Sequence, residues 1–203
     1  MDLLHEFFGD AMPDETDDEL AVANLTRIES SELRACFESF AAQDLVDAVA
    51  SEARPFVEGN HNQLLVHCPS NIGAIESDRD KVRLVLGKLL ENAALNTEAG
   101  RIDLVVMHVE RDGLPYVDFR VSDTGIGMSK EEVEKLFHFG DGLELAIARC
   151  LCLVMGGDLS VESTLGAGTT FDFTLPVHPP EMLLDDASIP AIATQRPRIN
   201  AWK

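Results

Sequence analysis

Asp123-Thr124-Gly125-Ile126-Gly127-Met128 is the stretch whose surroundings decide the fold. Ahead of it, residues 116–121 are rich in β-branched and aromatic side chains, which predicts a strand. Behind it, Ser129-Lys130-Glu131-Glu132 spells a capping box, in which hydroxyl and carboxylate reciprocally satisfy amides at a helix start; the short helix is expected to run through Leu136. A carboxylate followed by two glycines lets the backbone come close to another group while the acid accepts a hydrogen bond. Alone this DxGxG pattern is weak, because a tight turn capped by Asp explains it equally well.

Working outward, residues 102–109 match the 116–121 strand across Arg111-Asp112-Gly113, a hairpin signal. Residues 80–95 place Val82, Leu84, Val85, Leu86, Leu89, Leu90 and Ala93 on one wide apolar face, the pattern of a well-buried helix. Residues 44–57 repeat that spacing with Leu45, Val46, Val49, Ala50, Ala53 and Val57, and the helix is expected to stop near Gly59. Between these helices, residues 63–68 read as a strand closed by Pro69. Downstream, residues 143–155 form a third long helix ended by Gly156-Gly157. A last hairpin joins residues 158–163 and 169–175 through Leu165-Gly166-Ala167-Gly168. Helices and hairpins in this order predict an α+β fold: a two-layer α/β sandwich, its mixed sheet of about five strands carrying three main helices on one face. There is no internal repeat.

Composition narrows the function. The 203 residues hold 16 Lys+Arg against 36 Asp+Glu, a net charge of −20, and 45% are hydrophobic. That supports a real core and argues against phosphate-backbone partners, so no nucleic acid is expected. No long apolar run or basic leader occurs, so a cytoplasmic chain with no membrane insertion is expected. Residues 1–24 read as an acidic flexible arm and 177–203 as a proline-rich tail, leaving 25–176 as the domain. Cys36, Cys68, Cys150 and Cys152 lack paired metal-ligand spacing and read as reduced thiols, mostly buried.

The DxGxG stretch gains specificity from its company. Asn92 lies near the end of the buried helix in Leu89-Leu90-Glu91-Asn92-Ala93, and further glycine groups occur at Gly140-Asp141-Gly142 and Gly166-Ala167-Gly168-Thr169. In this order residues 25–176 resemble the ATP-binding catalytic domain of sensor histidine kinases, in the superfamily that also holds gyrase-type ATPases and the ninety-kilodalton chaperones. Asn92 matches the N box, Asp123 to Gly127 the G1 box, Phe137 and Phe139 the F box, and Gly140 to Leu145 the G2 box. Leu25-Thr26-Arg27-Ile28-Glu29-Ser30 is similar to the end of the second dimerisation helix. The resemblance implies ATP and Mg²⁺ as cofactors. Asp123 would accept the adenine amino group, with Thr169 joined to it through a water, and Asn92 would be a Mg²⁺ ligand and catalytic residue. Gly125, Gly127, Gly140 and Gly142 would line the nucleotide. Phosphate would pass to a histidine on a separate dimerisation domain, and a response-regulator receiver domain is the other implied partner; a homodimer is compatible with this.

The chain also departs from that pattern. Phe139 runs directly into Gly140, so the mobile lid that the family places there is missing, which implies weak triphosphate binding. Lys88 stands one helical turn before Asn92 where kinases carry a second Asn, and its amine cannot act as a hydrolytic base. Leu95 replaces a common Lys, and Glu144 replaces the last glycine of the G2 box. Asp141 and Glu144 are spaced as a capping box, which predicts a helix start that caps itself. These departures support an alternative reading, a degenerate, non-catalytic kinase-like module serving as an interaction surface in a phosphorelay. A stand-alone kinase of the anti-sigma-factor type shares the fold but does not need the 25–30 segment. His5 as phosphoacceptor is disfavoured by Pro13 and the short span to Leu25, and His61, His67, His108, His138 and His178 show no ligand spacing. Phe7, Phe8 and Trp202 read as tail anchors.

Overall fold

The computed structural model describes residues 35–137 and 143–179. Strand β1 (Glu38–Ala41) leads into helix α1 (Ala42–Gly59), followed by β2 (Gln63–His67), a single 3₁₀ turn at Ser70–Ile72 and β3 (Ala74–Ser77). Helix α2 (Arg79–Leu95) and the long hairpin β4 (Arg101–Arg111) and β5 (Leu114–Asp123) come next. Helix α3 (Lys130–Lys135), helix α4 (Leu143–Val154) and strands β6 (Asp158–Thr164) and β7 (Gly168–Pro176) complete the order. The main sheet runs β2-β4-β5-β7-β6, parallel only between β2 and β4, so it is mixed and five-stranded. This is the α+β sandwich that the periodicities predict.

Period-2 alternation places the core. Ile102, Leu104 and Val106 on β4, Val117, Phe119 and Val121 on β5, and Phe171, Phe173 and Leu175 on β7 are all buried and join one cluster with the helices. Phe119 and Phe173 face each other in register and stack at 5.5 Å between ring centres. Against this face lies α2, flanked by α1 and α4; Val82, Val85, Leu86, Leu89, Leu90 and Ala93 are fully buried on it, whereas Leu84, expected on the same face, is turned away from the core and exposed. Asp78 caps α2 by accepting the Lys81 amide at 3.0 Å, and Ser129 and Glu132 close the expected capping box on α3. Asp112 and Gly113 both take positive φ, 52° and 77°, as a two-residue turn matched to strand twist requires.

Two features go beyond the sequence reading. Strands β1 and β3 form a separate antiparallel pair, Glu38 opposite Ser77 and Phe40 opposite Ile75. Val177, expected to open the tail, is instead tied on both sides. Its amide donates to the Pro115 carbonyl at 3.0 Å, and its carbonyl accepts the Glu76 amide at 2.9 Å. All four cysteines are free. Cys152 is buried, Cys68 and Cys150 are half-buried and Cys36 is exposed; burial pushes the Cys150 thiol up to about 11.

Candidate functional site

The DxGxG loop is built by strand β5 ending on a buried carboxylate. Asp123 is 7% exposed, and its Oδ1 accepts two amides, from Gly125 at 2.8 Å and from Thr169 at 3.3 Å. Among the described residues no hydrogen bond reaches Oδ2. Burial pushes the Asp123 carboxyl above its ordinary value, and the amides of Gly125 and Thr169, with the neighbouring Thr97 hydroxyl, oppose that rise by favouring the charged form. The result is a rigid carboxyl whose Oδ1 is taken by two backbone amides. Thr169 joins it through its own amide, while its hydroxyl lies 3.0 Å from Ser163 Oγ.

The glycines are demanded by neighbouring backbone. A Cβ on Gly125 would sit 2.0 Å from the Asn96 carbonyl oxygen, one on Gly127 2.1 Å from that of Thr164, and one on Gly168 2.0 Å from that of Asp123. The loop is thereby locked to the end of α2 and to the β6–β7 turn. Ile126 donates its amide to the Asn96 carbonyl at 3.0 Å, and Gly166 donates to the Ile126 carbonyl at 2.6 Å. Ser163, which carried no signal in the sequence, accepts the Met128 amide at 2.8 Å and donates to the Gly168 carbonyl at 3.0 Å. Thr97 was also missed: its buried hydroxyl lies beside the Asp123 carboxyl and favours its charged form, and the same virtual Cβ on Gly125 would lie 2.7 Å from it.

Helix α2 runs away from this loop. Its cap residue Asn96 donates from its side chain to the Asn92 carbonyl at 2.8 Å, which sets half-buried Asn92 one turn before the loop contact. One turn further lies Lys88, and its Nζ is 3.0 Å from Glu91 Oε2 and 3.2 Å from Glu144 Oε1. Both carboxylates hold the Lys88 ammonium above its usual range, Glu91 first, against a smaller opposing effect of burial. Glu144 therefore crosses from α4 to α2 as an ion pair; the self-capping expected of it involves Asp141, which lies outside the described residues.

Toward a divalent metal, Asn92 would offer one neutral side-chain oxygen, the remaining positions falling to water and ligand phosphates, since the nearby carboxylates of Glu91 and Glu144 are engaged by the Lys88 ammonium. Among the described residues no group of three or more His, Cys, Asp or Glu side chains forms a metal site by itself.

The remaining expected residues divide. Asp123, Gly125, Gly127 and Thr169 come together in one loop system, with Asn92 on the helix it abuts. Gly140, Gly142, His138 and Phe139 lie outside the described residues, as do His5, Trp202 and the 25–30 segment. Phe137 is half-buried under the Arg149 guanidinium, whose carbon is 5.0 Å from the ring centre. His108 meets the Asn71 carbonyl at 3.1 Å and His178 lies 3.4 Å from Glu76, both at the surface.

A family model described as "Histidine kinase-, DNA gyrase B-, and HSP90-like ATPase" matches residues 77–179. The sensor histidine kinase RcsC of Escherichia coli is 31% identical over 173 residues, covering 77% of this chain and 18% of that protein. The adaptive-response sensory kinase SasA of a Synechococcus strain is 34% identical over 161 residues, covering 73% of this chain and 42% of the relative. The chain thus spans less than half the length of either. Among solved structures, the nucleotide-free catalytic domain of histidine kinase ThkA superposes with a TM-score of 0.62 at 24% identity, over 71% of this chain and 99% of that domain. Full-length ShkA in complex with AMPPNP gives a TM-score of 0.61 at 24% identity, over 86% of this chain and 43% of that one.

Proposed function

Because this chain belongs to the histidine kinase-, DNA gyrase B- and HSP90-like ATPase family, we propose that it is the adenine-nucleotide-binding kinase module of a cytoplasmic two-component signalling protein. The observation that carries the proposal is Asp123. Its Oδ1 is held by the amides of Gly125 and Thr169, so Oδ2 stands as a fixed acceptor for the exocyclic amino group of adenine. Guanine would present a carbonyl there, and two acceptors repel, which makes the site selective for adenine. The loop glycines and Thr169 form the base end, and Asn92, Gly140 and Gly142 are assigned to the phosphate end. The activity proposed for the intact signalling system is transfer of the γ-phosphate of ATP to a histidine imidazole on a separate dimerisation domain, from which a receiver domain would take it. Mg²⁺, implied by the family resemblance, would be held by the Asn92 side-chain oxygen together with nucleotide phosphates and water. Homodimerisation through such a dimerisation domain belongs to the same proposal.

A second reading is favoured by one observation. The Lys88–Glu144–Glu91 ion cluster stands where the family resemblance puts the phosphates, which supports a module that binds nucleotide without transferring its phosphate. Calorimetric titration with ATP, ADP and GTP tests the shared part: adenine nucleotides are expected to bind and GTP to fail, and no heat with any of them removes the proposal. Incubation with radiolabelled ATP and a histidine-bearing dimerisation domain separates the two readings. Label on the histidine supports the kinase; bound nucleotide without label supports the regulatory module.

A further inference from the structure

We propose that Lys88 is a phosphate-binding residue of the nucleotide site, masked by Glu144 in the empty protein, and that it allows adenine nucleotides to bind without a divalent metal. The inference rests on the base-end reading of Asp123 given above.

Helix α2 is the ruler. Asn96, Asn92 and Lys88 follow at four-residue intervals and so share one face. At 1.5 Å per residue, Lys88 lies about 6 Å beyond Asn92 and about 12 Å beyond the Asn96 carbonyl that holds the loop. A nucleotide whose base sits at Asp123 and whose phosphates pass Asn92 therefore runs toward an ammonium. That ammonium is the more sheltered member of its cluster: the Lys88 side chain is 32% exposed, against 49% for Glu91 and 72% for Glu144.

Two carboxylates share this one cation, so the cluster carries a surplus negative charge. A phosphate cannot be added to it without repulsion, but it can replace one member. Glu144 is the member that gives way. It is largely in water, its bond to Lys88 spans two helices rather than one turn of the same helix, and an ion pair so exposed contributes little to stability. A phosphate offers more charge and three acceptor oxygens in its place. Glu91, three residues from Lys88 on α2, keeps its bond and holds the ammonium on the Asn92 side.

Three ligands titrated into the full chain test this: adenosine, ADP and inorganic pyrophosphate, each with EDTA and with Mg²⁺, against wild type, Glu144→Gln and Lys88→Met. In EDTA, Glu144→Gln is expected to tighten ADP and pyrophosphate by about 10-fold, from one charged hydrogen bond no longer contested, and to leave adenosine unchanged. Lys88→Met is expected to bring ADP down to the affinity of adenosine, with adenosine again unchanged. Tightening of ADP only when Mg²⁺ is present, or equal gains for adenosine and ADP in Glu144→Gln, overturns the proposal. Should Lys88→Met fold poorly, the Glu144→Gln result decides by itself, since that side chain lies at the surface. If adenosine binds none of the proteins, the base-end reading of Asp123 has failed. Pyrophosphate then still judges Lys88: binding to Glu144→Gln supports it, and no binding refutes it.

Discussion

Replacing Asp123 by Asn converts one carboxylate oxygen into an NH₂ and leaves the other oxygen in place. The amides of Gly125 and Thr169 both point at Oδ1, so the retained oxygen of the Asn must stay there; the reverse orientation would set two N–H donors against a third. The NH₂ group therefore takes the position of Oδ2 and meets the adenine amino group donor to donor. The loss is one hydrogen bond to a charged acceptor, about 1.5–3 kcal/mol, which corresponds to adenosine or ADP binding weakened by about 10- to 100-fold. Stability is expected to change by less than about 1 kcal/mol, because the loop keeps its two amide bonds and the fold sheds a desolvated charge. Inosine, with a carbonyl where adenosine has its amino group, should gain relative to adenosine in the variant. Calorimetry with both nucleosides, beside a urea unfolding curve, measures all three quantities. A folded Asp123→Asn protein that binds adenosine as wild type does, with no shift toward inosine, refutes the assignment.

Three further outcomes are expected. Gly125→Ala would push a methyl group to 2.0 Å from the Asn96 carbonyl, so the loop must part from α2; urea unfolding should report a loss of at least about 2 kcal/mol, and a loss below 0.5 kcal/mol contradicts the close approach. Asp118, buried and beside Asp172, has its carboxyl pushed up to about 6 despite the opposing Arg120. A folded value above the unfolded one means that its contribution is present below about pH 4 and is lost as pH rises through 6. Asp118→Asn should accordingly stabilise the protein at pH 7.5 by at most about 3 kcal/mol and make no difference at pH 4, whereas an effect independent of pH would contradict the shift. Finally, a thiol reagent near pH 8 should modify exposed Cys36 first and leave Cys152 untouched until unfolding, as peptide mapping by mass spectrometry would show; early modification of Cys152 contradicts its burial.

What was legible in the sequence was local. The apolar face of α2, the Asp112-Gly113 turn and the Ser129–Glu132 box are written within one or two turns of chain, and the structure repeats them with small changes at the ends. Strands β1 and β3 were not legible, because each is four residues long and their pairing joins Glu38 to Ser77 across the chain. Asp118 was hidden for a different reason. It occupies the outward row of β5, where alternation predicts solvent, yet it is buried next to Asp172 and Arg120. At the candidate site, the order of Asn92, Asp123 and the glycines named the elements, but a motif cannot say which carboxylate oxygen is already used. The Lys88–Glu144 pair, 56 positions apart, depends on how α4 meets α2, and helix periodicity is silent on that.

Val177 ties the small sheet to the large one through two backbone hydrogen bonds. Its amide hangs from the hairpin end of the large sheet and its carbonyl from the small one. Tension applied beyond that residue is therefore shared between Pro115 and Glu76 before it reaches β7, so the first event under load is the peeling of two bonds. A neighbouring module that tugs there would shift β3, and with it the strand opposite, while the long strands stay seated.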